Sequence, residues 1–552
     1  MSDTATDKRH WWRSAAIYQV YVRSFADGNG DGIGDLAGIR GRLGHLRDLG
    51  VDAVWFNPWY ASPQADGGYD VADYRAIEPL FGTTVEAEAL ILEAHALGIR
   101  VILDIVPNHC SDQHAWFQSA LAAGPGSPER ARFLFRPGRG ADGSEPPNNW
   151  KSNFAGSAWT RITEADGSPG EWYMHQFAPE QPDFNWANPE VRAEFESILR
   201  YWLDRGVDGF RIDVAHGLVK ADGLPDVEPH VQLGWMPYED QPGVHDVWRE
   251  WRRLTNSYPG ERILVGEVWV PEPERFARYL RPDELHSAFN FDFLRSSWGA
   301  EPMRAVIDAT RATHALVGAP TTWVLSNHDV PRHVTRYGRA DTSFEFGHHQ
   351  HGVPADLDLG TRRARAAALL TFALPGGVYV YQGDELGLWE VDDLPDELRQ
   401  DPMWERSNHV DGVRDGCRVP MPWSDVEPPF GFSPAGGTGQ PWLPQPKQWK
   451  DYTVSVQHGD DRSMLELYRT ALRIRREEAS LGDGTMTWIP SDPDVLAFIR
   501  GPGADGSRLT CVVNMSGGTV ELPEHDGVIL ASGPLDDGLL RPDTAVWLRT
   551  AA

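Results

Sequence analysis

Four short strings, taken in chain order, decide the fold: DIVPNH (104–109), GFRIDV (209–214), GEVW (266–269) and SNHD (326–329). Each sets an acidic, basic or imidazole side chain directly after a β-type apolar run. A chain that ends successive strands with Asp, His, Arg and Glu brings these groups together at one rim of a barrel. The intervals between the strings leave room for a helix, as parallel strands require.

Outward from these strings the same alternation continues. IYQVYVRSF (17–25) reads as a first strand, Leu36 to Leu49 has helical apolar spacing, and AVWFNP (53–58) is a second strand. Val85 to Leu97 is a second helix and VILDIV (101–106) a third strand. Later strands are GFRID, ILVGE (263–267), AFNFDF (288–293), WVLSN (323–327) and VYVYQG (378–383). The pattern predicts an α/β fold, a closed (β/α)8 TIM barrel rather than an open sheet, over residues 1–109 and 188–482. Residues 110–187 are rich in Gly, Pro, Trp and Asn and read as a loop-built subdomain inserted after strand 3. Residues 388–450 form an extended excursion after strand 8, and long loops on a barrel are usually functional. Residues 483–552 carry short alternating strands and are expected to be a separate antiparallel β domain, a β-sandwich.

Composition excludes several classes. With 51 Lys+Arg against 80 Asp+Glu the formal charge is −29, opposite to what nucleic acid or anionic lipid would attract. The three cysteines (Cys110, Cys417, Cys511) are scattered, without metal or redox spacing, which fits a reducing compartment. The beginning, MSDTATDKRHWW, lacks the apolar core of a signal peptide, and Ala366 to Leu374 is too short to span a bilayer. A cytoplasmic location and no membrane partner are expected.

The strand ends carry hydrolytic chemistry. Asp213 follows Arg211 by two residues, so both side chains point to one face, and the guanidinium is expected to keep the carboxyl ionised, as a nucleophile needs. Glu267 is flanked by Val268 and Trp269, and apolar burial suits a general acid. One ionised and one protonated carboxyl are the minimum equipment of a retaining glycosidase. Asp329, after Asn327 and His328, adds a third.

On these motifs the sequence resembles the α-amylase family of glycoside hydrolases (family 13), in its α-glucosidase and oligo-1,6-glucosidase branch, over nearly its whole length. The resemblance implies that Asp213 is the nucleophile, Glu267 the general acid/base and Asp329 the transition-state stabiliser. It implies that Arg211 orients the nucleophile and that His109 and His328 bind sugar hydroxyls. ADGGYDVADY (65–74) is similar to the family string whose Asp and Tyr, here Asp66 and Tyr69, line the terminal-sugar pocket. Tyr69 would stack on the sugar. RDGCRVPMPW (414–423) resembles a string whose Arg, taken as Arg418, pairs with that Asp and closes the pocket behind one glucose. The implied activity is exo release of α-glucose from short maltose- or isomaltose-type glucosides, with transglucosylation. A glucosyl transferase or isomerase acting on sucrose or trehalose is the alternative on the same fold. QPDFNWANPEV (181–191), with Phe184 for the commoner Leu, and Val214 after the nucleophile point to different linkage preferences, so linkage stays open.

The run Asp27-Gly-Asn29-Gly-Asp31-Gly-Ile33-Gly-Asp35 alternates oxygen donors with glycines, as a calcium loop does, but lacks the rest of an EF-hand. The resemblance implies a structural Ca²⁺ (or Mg²⁺) held by Asp27, Asn29, Asp31, Asp35 and the Ile33 carbonyl. No organic cofactor is expected.

Overall fold

A computed structural model describes residues 10–229, 236–345, 350–409 and 414–550. Eight parallel strands form its centre. They are β1 (Ala16–Val20), β2 (Ala53–Phe56), β3 (Arg100–Ile105), β4 (Gly209–Ile212), β5 (Ile263–Gly266), β6 (Ser287–Ala288), β7 (Thr322–Val324) and β8 (Gly377–Tyr381). A helix follows each: α1 (Leu36–Leu49), α2 (Thr84–Ala96), α3 (Pro189–Leu203), α4 (Val244–Asn256), α5 (Pro273–Tyr279), α6 (Ala300–Ala315), α7 (Leu357–Ala373) and α8 (Met464–Glu477). The ladder runs β6-β5-β4-β3-β2-β1-β8-β7, so neighbours in sequence are neighbours in space. Its two ends, β6 and β7, share no main-chain ladder; the Thr322 hydroxyl donates to the Ala288 carbonyl across the seam. This is the expected (β/α)8 fold.

The strands are buried on both faces, and the period of two sorts their side chains into two cores. Ile17, Trp55, Ile102, Ile263, Val265, Val324 and Tyr379 fill the barrel interior. Tyr18, Val54, Phe56, Val101, Leu103, Phe210 and Val380 meet the surrounding helices. Several strands stop earlier than their apolar runs. AFNFDF yields only the two residues of β6 before a helical turn begins at Phe291, capped by the Asn290 side chain on the Phe293 amide at 3.0 Å. IYQVYVRSF likewise breaks into a turn at Val22–Phe25.

Two regions differ from the sequence reading. The segment after β3 is more than loops: helix Ala115–Ala123 is followed by an antiparallel sheet of Phe135–Arg136, Trp159–Thr163 and Pro169–Met174. Its aromatics, such as Trp150 and Trp159, form a small core of their own. At the C-terminus, β9 (Met486–Trp488), β10 (Val495–Arg500), β11 (Arg508–Asn514), β12 (Gly527–Ala531) and β13 (Thr544–Thr550) make one five-stranded antiparallel sheet, in the order β9-β10-β11-β13-β12. The expected sandwich has two packed sheets. Here the second face (Val495, Ala497, Val512, Val546, Leu548) is covered by Val520, Leu522, Leu535 and Leu540 from connecting segments. The first face (Phe498, Leu509, Cys511, Trp547) joins the main core. Among the described residues no helix is long and apolar enough to cross a membrane.

Trp547 pins this sheet to the barrel. It is fully buried, and its indole N–H donates to the Leu369 carbonyl of α7 at 3.1 Å. Trp547→Ala should therefore lower stability by about 3–5 kcal/mol, read as a lower denaturant midpoint, while kcat at low temperature stays at the wild-type value.

Candidate active site

The register of three strands builds the centre of the site. Asp104 on β3 lies beside Arg211 on β4, and Val265 on β5 lies beside Arg211 on the other side. Asp104, Arg211, Asp213 and Glu267 share the inward parity, so all four point into the barrel mouth. The Arg211 guanidinium is shared three ways. Nη1 donates to both oxygens of Asp104 at 3.1 and 3.2 Å and to Asp213 Oδ1 at 2.7 Å, and Nη2 donates to Glu267 Oε2 at 2.7 Å. Burial opposes the charge on Arg211, but Asp104 and Glu267 outweigh it and hold the guanidinium well above its ordinary range.

One guanidinium does not neutralise three buried carboxyls. Burial pushes Asp213 well above the usual carboxylate range, the Glu267 carboxylate adds to this, and Arg211 pulls back without prevailing. Burial also pushes Asp104 up to about 7 against the pull of Arg211. This corrects the expectation that Arg211 alone keeps Asp213 ionised.

Glu267 is not held by apolar contact alone. Its Oε1 accepts from the Trp269 indole at 2.8 Å, and Oε2 also accepts from the Val214 amide at 3.2 Å. That amide is presented by a left-handed backbone, φ 46° at Val214, a conformation rare for a β-branched residue.

A polar chain runs from β1 into this cluster. The Gln19 side-chain amide donates to Asn57 Oδ1 at 3.0 Å, Asn57 donates to the Tyr69 hydroxyl at 2.7 Å, and that hydroxyl donates to Asp104 Oδ2 at 2.9 Å. Trp55 Nε1 donates to the same Asp104 oxygen at 3.1 Å. The Tyr69 ring is buried and stacks on His328, with centroids 5.3 Å apart and planes 7° from parallel. That imidazole covers one face of the Tyr69 ring.

His328 and Asp329 follow β7. His328 Nδ1 meets the Gln19 amide at 2.7 Å and Nε2 lies 3.1 Å from Asp329 Oδ2. Burial pushes the His328 ring well below its usual range, despite Asp329, so the imidazole is neutral. Burial would raise Asp329, but His328, Arg414 and Arg418 together hold it well below the usual carboxylate range. With His328 neutral, the compensating charge comes from the two arginines.

These arginines require a correction. Arg418 does not pair with Asp66. Its Nε donates to the His328 carbonyl at 2.8 Å and its Nη2 to Asp329 Oδ1 at 2.9 Å. The partner of Asp66 is Arg414, whose Nη2 donates to Asp66 Oδ1 at 2.8 Å. Asp415–Arg418 is a tight turn, which sets the two guanidiniums one turn apart. Arg418 meets the segment just after β7, and Arg414 spans Asp66, Asp329 and Asp401. Arg414 also bonds both oxygens of the buried Asp401, at 2.6 and 2.8 Å, a clamp that the sequence reading did not identify.

The segment inserted after β3 closes another wall. His109 bridges to Asp183 of the returning chain. The Gln181 amide nitrogen lies 3.2 Å from His109 Nε2 and donates to Asp66 Oδ2 at 3.1 Å. Burial pushes the His109 ring below its usual range. Neither Gln181 of QPDFN nor Asp104 is among the site residues expected from sequence, although Asp104 ends its strand as Arg211 does. The predicted residues Asp66, Tyr69, His109, Arg211, Asp213, Glu267, His328, Asp329 and Arg418 are thus linked through one network.

The glycine-rich loop between β1 and α1 is ordered by main-chain amides. Asp27 accepts from the amides of Asn29 and Gly30 at 3.1 and 2.6 Å and of Gly32 at 2.8 Å. Asp31 accepts from Ile33 N at 2.9 Å and from the Asn29 side chain at 3.0 Å. Asp35 caps α1 through the Gly38 amide at 2.6 Å. Among the described residues no three His, Cys, Asp or Glu side chains converge as a ready-made metal cage. The donor set still suits a hard cation. Asp27 and Asp35 are buried. Burial pushes Asp35 up, Asp27 adds repulsion, and the pull of main-chain amides does not offset this.

A double-mutant cycle separates the two arginines. Asp66→Ala with Arg414→Ala should show a coupling of about 1–3 kcal/mol in kcat/KM, and Asp66→Ala with Arg418→Ala, which meet only through Arg414 and Asp329, should show a clearly smaller one.

Comparisons with known proteins point to one family. Residues 19–484 match the model of the α-amylase catalytic domain. A probable α-glucosidase of Rhizobium meliloti (strain 1021) is 37% identical over 539 residues, covering 93% of this chain and 91% of that protein. The oligo-1,6-glucosidase of Parageobacillus thermoglucosidasius is 35% identical over 559 residues, 94% of this chain and 93% of the relative. Among solved structures, the α-glucosyl transfer enzyme XgtA superimposes with a TM-score of 0.85 at 34% identity, covering 99% of this chain and 100% of that one. The trehalulose synthase of Pseudomonas mesoacidophila does so with a TM-score of 0.85 at 30% identity, over 98% and 99% of the two chains. A barrel whose strand ends gather Arg211 with three carboxyls, and a sequence that matches its relatives nearly end to end, place this chain in the α-amylase family of glycoside hydrolases, family 13.

Proposed function

We propose that the protein is a retaining, exo-acting α-glucosidase that releases α-glucose from the non-reducing end of short α-glucosides. The observation that carries this reading is the Arg211 fork, which bonds Asp213 and Glu267 from adjacent nitrogens at 2.7 Å each. Two carboxyls bridged by one guanidinium form the nucleophile–acid pair that a covalent mechanism needs.

In this mechanism Asp213 attacks the anomeric carbon while Glu267 protonates the leaving oxygen. Water, deprotonated by Glu267, then releases the sugar with its configuration retained. Asp329, held ionised by Arg414 and Arg418, stabilises the oxocarbenium-like charge. The neutral imidazoles of His109 and His328 bond sugar hydroxyls. The Asp66–Arg414 pair, with Gln181, closes the pocket behind one glucose, and this supports exo action. A second reading, glucosyl transfer or isomerisation, is favoured by the likeness to an α-glucosyl transfer enzyme and a trehalulose synthase. It differs only in what meets the covalent intermediate. The buried free thiols of Cys110, Cys417 and Cys511 support a reducing, cytoplasmic setting.

We also propose that the loop of Asp27, Asn29, Asp31, Ile33 and Asp35 takes Ca²⁺. The ion would offset the mutual repulsion of Asp27 and Asp35 and would stabilise the start of α1, away from the chemistry.

Proton NMR of the enzyme with equimolar maltose and isomaltose tests the activity. The α anomer of glucose should appear before the β anomer, and the sugar consumed gives the linkage. First appearance of β-glucose would refute retention, and new anomeric signals would establish transfer. Asp213→Asn should abolish turnover without lowering the melting temperature, because it removes a carboxyl that burial already disfavours as an anion. For the metal, Ca²⁺ added after chelation should raise the melting temperature, and Asp31→Asn should shrink that rise; an unchanged melting temperature would refute the site.

A further inference from the structure

Glu267 must carry a proton on one defined oxygen, and the structure distinguishes the two. Oε2 accepts from the Arg211 guanidinium at 2.7 Å and from the Val214 amide at 3.2 Å. A proton on Oε2 would have to displace a cation and a main-chain donor. Oε1 accepts from the Trp269 indole N–H at 2.8 Å. A protonated Oε1 can keep that bond through its remaining lone pair while its own hydrogen points elsewhere.

The Trp269 ring is held in place by its neighbours. It stacks on Phe291 with centroids 3.6 Å apart and planes 11° from parallel, and Phe291 belongs to the barrel's interior core. Trp269 lies two positions after Glu267, just past the end of β5; Val268 between them turns to the outer core and Trp269 packs on the inner one. The indole donor is therefore aimed by packing, not by the carboxyl alone.

We propose that Trp269 is a positioning residue for the acid/base: with Oε2 taken by Arg211 and Val214, Oε1 is the proton-carrying oxygen of Glu267, and the indole N–H orients it and stabilises the carboxylate left when that proton departs. The inference rests on the reading of Glu267 as acid/base. In the first step the glycosidic C–O bond breaks as the Asp213–carbon bond forms. The electron pair goes to the leaving oxygen, which takes the proton from Oε1. In the second step the water oxygen bonds to carbon, its proton returns to Oε1, and the Asp213–carbon bond breaks. A hydrogen bond donated to a carboxyl favours its ionised form, so the indole bond strengthens as the first step leaves a carboxylate on Glu267.

The signature is dependence on the leaving group. A disaccharide needs its leaving oxygen protonated, and a nitrophenolate does not. Trp269→Phe keeps a ring on Phe291 and removes the donor. It should lower kcat/KM about 10- to 100-fold for whichever of maltose and isomaltose the enzyme cleaves, and less than about threefold for p-nitrophenyl α-glucoside. The alkaline limb of the disaccharide kcat/KM profile should move to higher pH, because a carboxyl without that donor keeps its proton longer. Trp269→His, which retains a ring N–H, should recover part of the disaccharide rate and provides a second variant if the Phe form does not fold. Equal losses on both substrates with an unmoved alkaline limb would overturn the proposal, since a purely structural role predicts that. Glu267→Gln serves as the reference. If it keeps its disaccharide activity, the acid/base reading fails first; if it loses that activity and Trp269→Phe is unselective, only the present inference fails.

Discussion

The site depends on one buried cation. Arg211 stands at the centre of the barrel mouth and is the shared partner of Asp104, Asp213 and Glu267. Buried carboxyls repel one another and resist ionisation, so without a fixed cation they would take up protons or move apart. A guanidinium suits this position better than an ammonium would, because its planar fork offers donors in two directions and it does not lose its charge. Its planarity also transmits geometry. Once Asp104 fixes Nη1 through two bonds, the direction of Nη2 toward Glu267 is set as well. Asp104 is held in turn by Trp55 and Tyr69, so the orientation of the reacting carboxyls rests on residues of β2 and of the loop after it.

A second pair of cations shapes the other wall. Arg414 and Arg418 both approach Asp329, and with His328 they hold its carboxyl well below the usual range. The contrast with Asp213 is instructive. Asp213 shares one cation with two other carboxyls, and Asp329 has two cations, one of which it shares with Asp66 and Asp401.

Much of this was legible in the sequence, for a definite reason. Strand parity and the order of the strings depend only on local spacing, so GFRID, GEVW and SNHD yielded their inward-facing residues and the barrel itself. The reading failed where the answer depends on how distant segments dock. The choice between Arg414 and Arg418 turns on the path of a long excursion. The meeting of Gln181 with Asp66 joins residues 115 positions apart. The expected ionisation of Asp213 followed from its one local neighbour, but Glu267 and Asp104 come from other strands. The C-terminal domain was read as a sandwich because its alternating strands imply two covered faces; one face lies on the barrel and the other is covered by connecting segments.

The seam between β6 and β7 has a consequence for the third acid. Asp329 lies just past β7, at one end of a ladder whose other end is the strand after Glu267. No main-chain hydrogen bonds join these ends, so the backbone measures the gap between Asp329 and the reacting pair only the long way round, through β8, β1, β2 and β3. Small errors of twist accumulate along such a path. The cross-barrel links correct them: Thr322 to Ala288, His328 to Gln19, and the arginines of the final excursion to Asp329. The excursion after β8 thus works as a brace for an incomplete cylinder, and trimming it would cost alignment before it cost fold.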